Sequence, residues 1–176
     1  MNEVDFKDLL LDKSDIESVI YTHIHIEHLV VNFLESSFPE PSHLKQMRLD
    51  YFSRVHLSLA LGIASELKAP LVCLGKMRND FAHNLGQSID KNRMNNFYDS
   101  FSSEHRQKIH KLAHDLGVFG LDEGINWKDM EPKSKFSLCC ISLFYFVRFS
   151  ILEQSHNQKL SKMGFHAMWS KIDSSS

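Results

Sequence analysis

Residues 70–86 read PLVCLGKMRNDFAHNLG, and this stretch decides the fold. Its spacing of three and four residues places five side chains on one face of an α-helix. These are Leu71, Leu74, Arg78, Phe81 and Leu85. Pro70 is suited to the first turn of a helix, and Gly86 is suited to its C-terminal end. The stretch therefore predicts a helix with one apolar face.

The same spacing recurs along the rest of the chain. A long helix is predicted from Ser14 or Asp15 to about Phe38, with Glu17 at the spacing of a capping box. The other predicted helices cover residues 3–11, Ser42 to Gly62, a segment capped by Asp90, Ser103 to Leu116, Pro132 to about Gln154, and Leu160 to Trp169. Residues 117–131 read as a loop. No stretch has the alternation of a strand.

Composition agrees with a helical protein. The chain has 176 residues with only Gly 7 and Pro 4, which favours long helices over a turn-rich sheet. A chain of this length buries enough surface to fold without metal or disulfides. We predict an all-α, single-domain antiparallel bundle of about seven to eight helices over residues 1–173. Residues 174–176 are expected to be a frayed tail.

The compartment is predicted from the cysteines and the N-terminal residues. Cys73, Cys139 and Cys140 form no C-x-x-C pair and lie in apolar runs, as expected for reduced thiols. The first residues lack the features of a secretion signal. In the apolar run from Phe136 to Leu152, charged residues bracket too few positions for a membrane span. We therefore expect a cytoplasmic protein without a membrane role.

Charge is distributed unevenly along the chain. The net charge is −2, but residues 1–40 hold nine acids against two lysines, and residues 76–111 hold seven bases against four acids. This balance does not favour nucleic acid as a general partner. An acidic face would suit a basic protein, and a solvated helix pair is the simpler alternative. The candidate partner-binding residues are Asp5, Asp8, Asp12, Asp15 and Glu17.

Arg78 and His83 form the main candidate for chemistry. An arginine can hold a phosphate and a histidine can transfer protons, as RNA cleavage requires. Asn79 lies one turn from His83 and could fix its tautomer. However, five residues separate Arg78 from His83, so they point about 140° apart. A complete site would need a second copy of the chain or groups from another helix.

Three segments resemble the mannitol operon repressor-like proteins of the HEPN superfamily (higher eukaryotes and prokaryotes nucleotide-binding). They are LVVNFLESSFP at residues 29–39, FSR at 52–54 followed by LALGI at 59–63, and KMRNDFAHN at 76–84. The resemblance covers residues 29–101 and implies a HEPN-like core. HEPN ribonucleases cleave RNA without metal, using the arginine and histidine across a dimer. Carried over, Arg78 would hold the phosphate, His83 would be the acid/base and Asn79 would support it.

The resemblance also implies an opposite reading. The repressor-like branch keeps the motif but is treated as regulatory, and it has no helix-turn-helix. This chain shows no convincing helix-turn-helix either, so it would act by binding a protein and not by reading DNA. Many toxin members carry a tyrosine two residues after the histidine, where this chain has Leu85. A purely structural role is also open, in which Arg78 ties its helix to Asp50 or an N-terminal acid. His83 would then be favourable near a helix C-terminus.

Other groups of residues predict less. His23, His25 and His28 resemble a metal cluster but lack the further ligands of a zinc site, as do His110 and His114. Cys73 has only Lys76 as a basic neighbour, which is weak support for a nucleophile. We expect no metal and no cofactor.

Two functions remain open. The favoured hypothesis is a non-catalytic regulatory or neutralising protein that binds another protein. It would be a mannitol-repressor-like regulator, or an immunity protein or antitoxin against a basic nuclease toxin. The alternative is a metal-independent endoribonuclease using Arg78 and His83, with RNA as its partner. The sequence leaves homodimerisation undecided.

Overall fold

A computed structural model describes residues 13–84, 86–115 and 126–173, and within the last range it describes side chains as far as residue 159 and at Ser161. Every regular element in this part is helical, which confirms the all-α prediction. Seven α-helices are described: α1 (Asp15–Ser37), α2 (Ser42–Gln46), α3 (Tyr51–Ala60), α4 (Lys68–His83), α5 (Lys91–Asp99), α6 (Ser103–Asp115) and α7 (Pro132–Asp173). Short 3-10 turns occur at Ser65–Leu67 and Trp127–Asp129. The predicted helix at residues 3–11 and the tail at 174–176 lie outside the described residues.

Helix α1 begins and ends as its sequence predicts. The Ser14 hydroxyl accepts a hydrogen bond from the Glu17 backbone N–H, and the Glu17 carboxylate accepts one from the Ser14 backbone N–H. This reciprocal pair satisfies two donors that the first turn leaves free. At the other end, Phe38 is extended just before Pro39. An extended residue is expected there because proline disfavours helical geometry in the residue before it.

The predicted helix from Ser42 to Gly62 is wrong, because the segment forms two helices. Ser42 is the first residue of α2, not its cap, and α2 ends at Gln46. Arg48 then has a φ of 49°, which is costly for a residue with a side chain and ends the helix. Asp50 starts α3 by accepting a hydrogen bond from the Ser53 backbone N–H. An aspartate at this position competes with a continuous helix because it is a strong N-cap.

Helix α4 is shifted towards the N-terminus relative to its prediction. It begins at Lys68, so Pro70 lies in the first turn, and it ends at His83, not near Gly86. The helix closes with the Asn84 backbone N–H donating to the Asp80 carbonyl. Its predicted apolar face is confirmed at the described positions Leu71, Leu74 and Phe81, which are buried.

Helix α7 is one continuous element, whereas the sequence predicts two helices separated by residues 155–159. That segment contains neither glycine nor proline, so nothing in it interrupts the backbone hydrogen bonds. The length argument against a membrane span is therefore also wrong. Pro132–Lys159 is long and apolar enough to cross a membrane, although 61% of its most apolar window is buried in the protein. Such burial is what a core helix shows.

A main hydrophobic core joins most of the described helices, and a small second cluster holds Ala113, Met130 and Leu138. Helix α1 packs against α3, α4 and α7, and α7 also packs against α5 and α6. The largest fully buried side chains are Phe33, Phe81, Phe97, Phe101 and Phe136. Helices α1, α3 and α4 all contact one another, and the pocket described below lies between them.

Candidate functional site

The predicted motif residues Arg78, Asn79 and His83 are all exposed on α4. The Arg78 guanidinium donates a hydrogen bond of 3.2 Å to the Asn79 side-chain oxygen. Asn79 therefore contacts Arg78 and not His83, contrary to the prediction. Among the described residues His83 makes no hydrogen bond or ion pair. Its imidazole is not held in a fixed orientation, as a positioned acid or base would be.

The predicted ion pair between Arg78 and Asp50 is also wrong. Both residues line one pocket, yet no carboxylate in the described part of the chain lies within 4.0 Å of the Arg78 guanidinium. Over the described residues Arg78 thus forms no ion pair that would fasten the end of α4, and the other predicted partners, the acids of residues 1–12, lie outside these residues. It remains a cation open to solvent at the edge of the pocket.

An open pocket of about 270 Å³ lies between α1, α3 and α4. Its lining is mostly polar and carries charges of both signs. The residues are His23, Glu27, Asp50, Tyr51, Phe52, Gly75, Arg78 and Asn79. His83 is not among them, so the two ends of the predicted catalytic pair do not meet in one chain.

Glu27 is already engaged inside this pocket. Its Oε1 pairs with the Arg54 guanidinium, and its Oε2 lies 3.7 Å from His23 Nδ1. These two contacts occupy opposite oxygens of the carboxylate. Glu27 is therefore neutralised by Arg54, and His23 lies beyond hydrogen-bond distance from it.

His23 is held by packing. Its ring centroid lies 4.2 Å from that of Tyr51, and the residue is only 5% exposed. Burial lowers the pKa of His23, an effect that Glu27 opposes and Arg78 reinforces. The imidazole is therefore neutral at neutral pH, with one nitrogen able to donate and the other able to accept.

Tyr51 forms the base of the pocket. Its hydroxyl donates a 3.0 Å hydrogen bond to the Leu71 carbonyl, which joins α3 to α4. Burial raises the pKa of Tyr51, and Glu27 adds to this effect, so the phenol stays protonated. Gly75 permits the close approach, because a Cβ at this position would lie 2.6 Å from Tyr51 Cε1.

Asp50 is the third charged residue that lines the pocket, besides Glu27 and Arg78. Its Oδ1 accepts the 2.8 Å hydrogen bond that caps α3. That bond from Ser53 lowers the pKa of Asp50, so the carboxylate is ionised at neutral pH. No lysine or arginine in the ranges that the structure covers lies within 4.0 Å of it.

His23 is part of the pocket, but the sequence pattern that drew attention to it indicates a metal cluster. It was grouped with His25 and His28 as a potential metal cluster, but the described residues contain no group of three metal-ligating side chains. What sets His23 apart is its position four residues before Glu27, which places both on one face of α1. That spacing is visible in the sequence and could have identified the pair.

In the second histidine group, His110 and His114, the described contacts give His110 a structural role. His110 Nε2 forms a 2.7 Å hydrogen bond with the Tyr98 hydroxyl. Trp127 packs on both rings, with centroid distances of 5.2 Å to Tyr98 and 4.6 Å to His110. This cluster joins α5 and α6 to the segment before α7.

Two of the candidate partner-binding acids make contacts within the chain. Asp15 Oδ2 accepts a 2.8 Å hydrogen bond from the Ile89 backbone N–H, and Glu17 belongs to the capping box of α1. Asp5, Asp8 and Asp12 lie outside the described residues. A role for the five acids in partner binding therefore stays a prediction.

A feature that sequence reasoning missed is an exposed apolar face on α7. Phe149 and Leu152 are 62% and 55% exposed, and Tyr145 stacks on Phe149 with ring centroids 6.3 Å apart. The spacing of four and three residues places all three side chains along one side of the helix. The sequence does not predict this face, because an apolar stretch does not reveal which of its sides is covered.

Comparison of this chain with models of known protein families, with curated proteins and with solved structures finds no match in any of the three. The resemblance to the mannitol operon repressor-like proteins and to the HEPN superfamily therefore stays a prediction from the sequence.

Proposed function

We propose that this chain is a non-catalytic regulatory or neutralising protein that acts by binding another protein. The observation that carries the proposal is the exposed apolar face of α7, formed by Phe149 and Leu152, with the half-buried Tyr145 stacked beside Phe149. Large apolar side chains grouped on a surface mark sites of protein interaction more often than single exposed ones do. Aromatic residues are also enriched where interfaces bind most tightly.

The polar pocket supports the same conclusion. It holds Arg78 without His83, and the histidine that it does hold, His23, is buried against Tyr51. Over the described residues, the pocket therefore does not bring Arg78 and His83, the predicted phosphate clamp and acid/base, together in one chain. A regulatory role needs neither.

We further propose the finer assignments that the sequence suggests. The helices would form a single-domain antiparallel bundle with a HEPN-like core, in a cytoplasmic protein without a cofactor. The protein would be a mannitol-repressor-like regulator, or an immunity protein or antitoxin against a basic nuclease toxin. Asp15 and Glu17 have contacts inside the chain, so the charge that steers a basic partner would come mainly from Asp5, Asp8 and Asp12.

The test compares partner capture by three forms of the protein. They are the wild type, the double variant Phe149→Ser with Leu152→Ser, and the control Ile24→Ser, which removes an apolar side chain of similar exposure from α1. A protein captured from the source cells by the wild type and the control, but not by the double variant, is then purified. Its affinity for the double variant should fall by about tenfold or more.

The result that would contradict the proposal is equally specific. If the double variant remains folded and binds every captured protein as tightly as the control does, the α7 face is not the docking surface. Circular dichroism and the thermal midpoint establish that each variant is folded.

The second candidate function is the HEPN-type endoribonuclease. It is favoured by one observation: Arg78 and His83 are both exposed, and Arg78 has no ion pair among the described residues. A second copy could supply the missing member of the pair. The test is cleavage of a labelled RNA in EDTA, comparing the wild type with His83→Ala and Arg78→Ala. Cleavage that both variants abolish would establish the enzyme, and an inert wild-type protein would exclude it under those conditions.

A further inference from the structure

The pocket between α1, α3 and α4 contains two opposite charges that lack ion-pair partners. The Arg78 guanidinium donates only to the Asn79 side chain, and the Asp50 carboxylate accepts only the capping hydrogen bond from Ser53. Over the described ranges, neither charge has an oppositely charged group within 4.0 Å. Both side chains line the pocket. Its wall therefore offers one cation and one anion to a ligand.

His23 adds a polar group to the wall of the pocket. Its side chain is only 6% exposed, and neither ring nitrogen forms a hydrogen bond to any described residue. Neither nitrogen is a fully buried atom without a partner, so the imidazole keeps contact with solvent, which a ligand in the pocket could replace. The closest candidate, Glu27 Oε2, is 3.7 Å from Nδ1. A proton on Nδ1 is favoured by that carboxylate and leaves Nε2 as an acceptor.

The other lining residues limit what can enter. Glu27 is neutralised by Arg54 and so adds no free charge. Tyr51 and Phe52 add aromatic surface, with ring centroids 5.6 Å apart. Gly75 removes a side chain that would otherwise fill part of the space. The pocket therefore has charged side chains from Asp50 and Arg78 and an aromatic wall from Tyr51 and Phe52.

We propose that this pocket binds a free amino acid as a zwitterion. Its carboxylate would contact Arg78 and Asn79, and its ammonium group would contact Asp50 and the free nitrogen of His23. Paired charge-assisted hydrogen bonds of this kind give both affinity and orientation. The ligand would be a small-molecule signal for the protein, independent of the apolar face on α7.

Ligands with a single charge fit less well. A simple anion such as phosphate would gain Arg78 but meet the carboxylate of Asp50 without a counterion. A simple amine would gain Asp50 but meet the guanidinium of Arg78. A molecule that carries both charges can pair with both residues, whereas a singly charged one meets a like charge that is only partly screened.

The experiment follows the imidazole signals of His23 by NMR while ligands are added to the full-length protein. The His23 signals are identified by their loss in His23→Gln. The probes are glycine, alanine and leucine, each up to about 20 mM, a range that detects weak binding by small ligands. For the amino acid that binds most tightly, its N-acetyl form lacks the ammonium charge and its amide form lacks the carboxylate. Inorganic phosphate is the anion control.

We expect at least one amino acid to shift the His23 signals in a saturable way. Its N-acetyl and amide forms should bind about tenfold more weakly or worse, because each loses one charge-assisted contact. Arg78→Met and Asp50→Asn should weaken binding similarly, and asparagine keeps the cap of α3. Lys76→Met and Asp80→Asn are the matched controls, since both lie on α4 outside the pocket lining and should bind like the wild type.

Three outcomes would overturn the proposal. The first is that no amino acid moves the His23 signals. The second is that phosphate or the N-acetyl form binds as tightly as the free amino acid, which would make the pocket a simple anion site. The third is that folded Arg78→Met and Asp50→Asn bind like the wild type. All three are independent of whether the α7 face captures a protein.

Discussion

Asp15 and Ile89 are separated by 74 residues, yet the Asp15 carboxylate accepts a 2.8 Å hydrogen bond from the Ile89 backbone N–H. This contact joins the first residue of α1 to the segment just before α5. It satisfies the amide of Ile89, which lies in neither helix and so has no intrahelical hydrogen bond.

Asp15→Ala should therefore destabilise the protein. A hydrogen bond to a charged group contributes about 1.5–3 kcal/mol, and the partly buried site reduces the expected loss to about 1–2 kcal/mol. Urea unfolding measures the change. Glu40→Ala is the control, because Glu40 is exposed and should change the free energy of unfolding by less than about 0.5 kcal/mol. Equal stability of the two variants would show that the contact contributes nothing.

Gly75→Ala should destabilise the protein by crowding Tyr51. The added Cβ would lie 2.6 Å and 2.8 Å from two carbons of the Tyr51 ring, which is itself fixed by its bond to Leu71. Overpacking of this kind costs about 1–3 kcal/mol. Gly86→Ala is the matched control, since nothing lies within 4 Å of a Cβ there. Thermal midpoints that fall equally in both variants would contradict the expected steric effect.

His23 should make stability depend on pH. Burial lowers its pKa in the folded state, so the unfolded chain binds more protons between that pKa and the unfolded value of about 6.5. Stability is therefore complete above about pH 6.5 and is lost as the pH falls through the lower, folded pKa. His25, His105 and His110 have pKa values lowered by burial as well and act in the same direction.

The contribution of His23 is isolated by substitution. His23→Gln should flatten the fall in unfolding free energy between about pH 7.5 and pH 5, since one titrating group is removed. His83→Gln, at an exposed position, is the control. A pH dependence that His23→Gln leaves unchanged would show that His23 is not protonated differentially on unfolding.

The three thiols should react slowly in the folded protein. Burial raises the pKa of Cys73, Cys139 and Cys140, which leaves little of the reactive thiolate at neutral pH. Cys139 and Cys140 are also fully buried. Labelling with iodoacetamide, followed by mass spectrometry, should modify none of them rapidly until urea unfolds the chain. Rapid modification of Cys139 in native buffer would contradict the described packing.

The sequence predicted those parts of the fold that depend on local chemistry. The capping box of Ser14 and the apolar face of α4 are set by residues one or two turns apart, and both appear as expected. The break at Arg48 was missed, because the pattern of apolar residues continues through it. A cap at Asp50 competes with that pattern, and only the packing of α3 decides the outcome.

The site was less predictable for a related reason. Arg78 and Asn79 were identified by their motif, but the pocket that they line also needs His23 from α1 and Asp50 from α3. Those positions are distant in the sequence, so no local spacing relates them. Likewise, the apolar run of α7 did not show that Phe149 and Leu152 face outwards, because exposure depends on which helices pack against each side.

A last consequence follows from the connection between α7 and the turn before α4. The Ala64 backbone N–H donates a 2.8 Å hydrogen bond to the Ser150 hydroxyl, which lies beside Phe149. Ala64 leads through Ser65–Leu67 directly into α4, the helix that carries Arg78. One hydrogen bond thus links the helix that carries the proposed protein surface to the turn that leads into the helix carrying Arg78. If this link couples the two sites, a ligand that changes the affinity for the partner protein by some factor must itself be bound more or less tightly by the same factor.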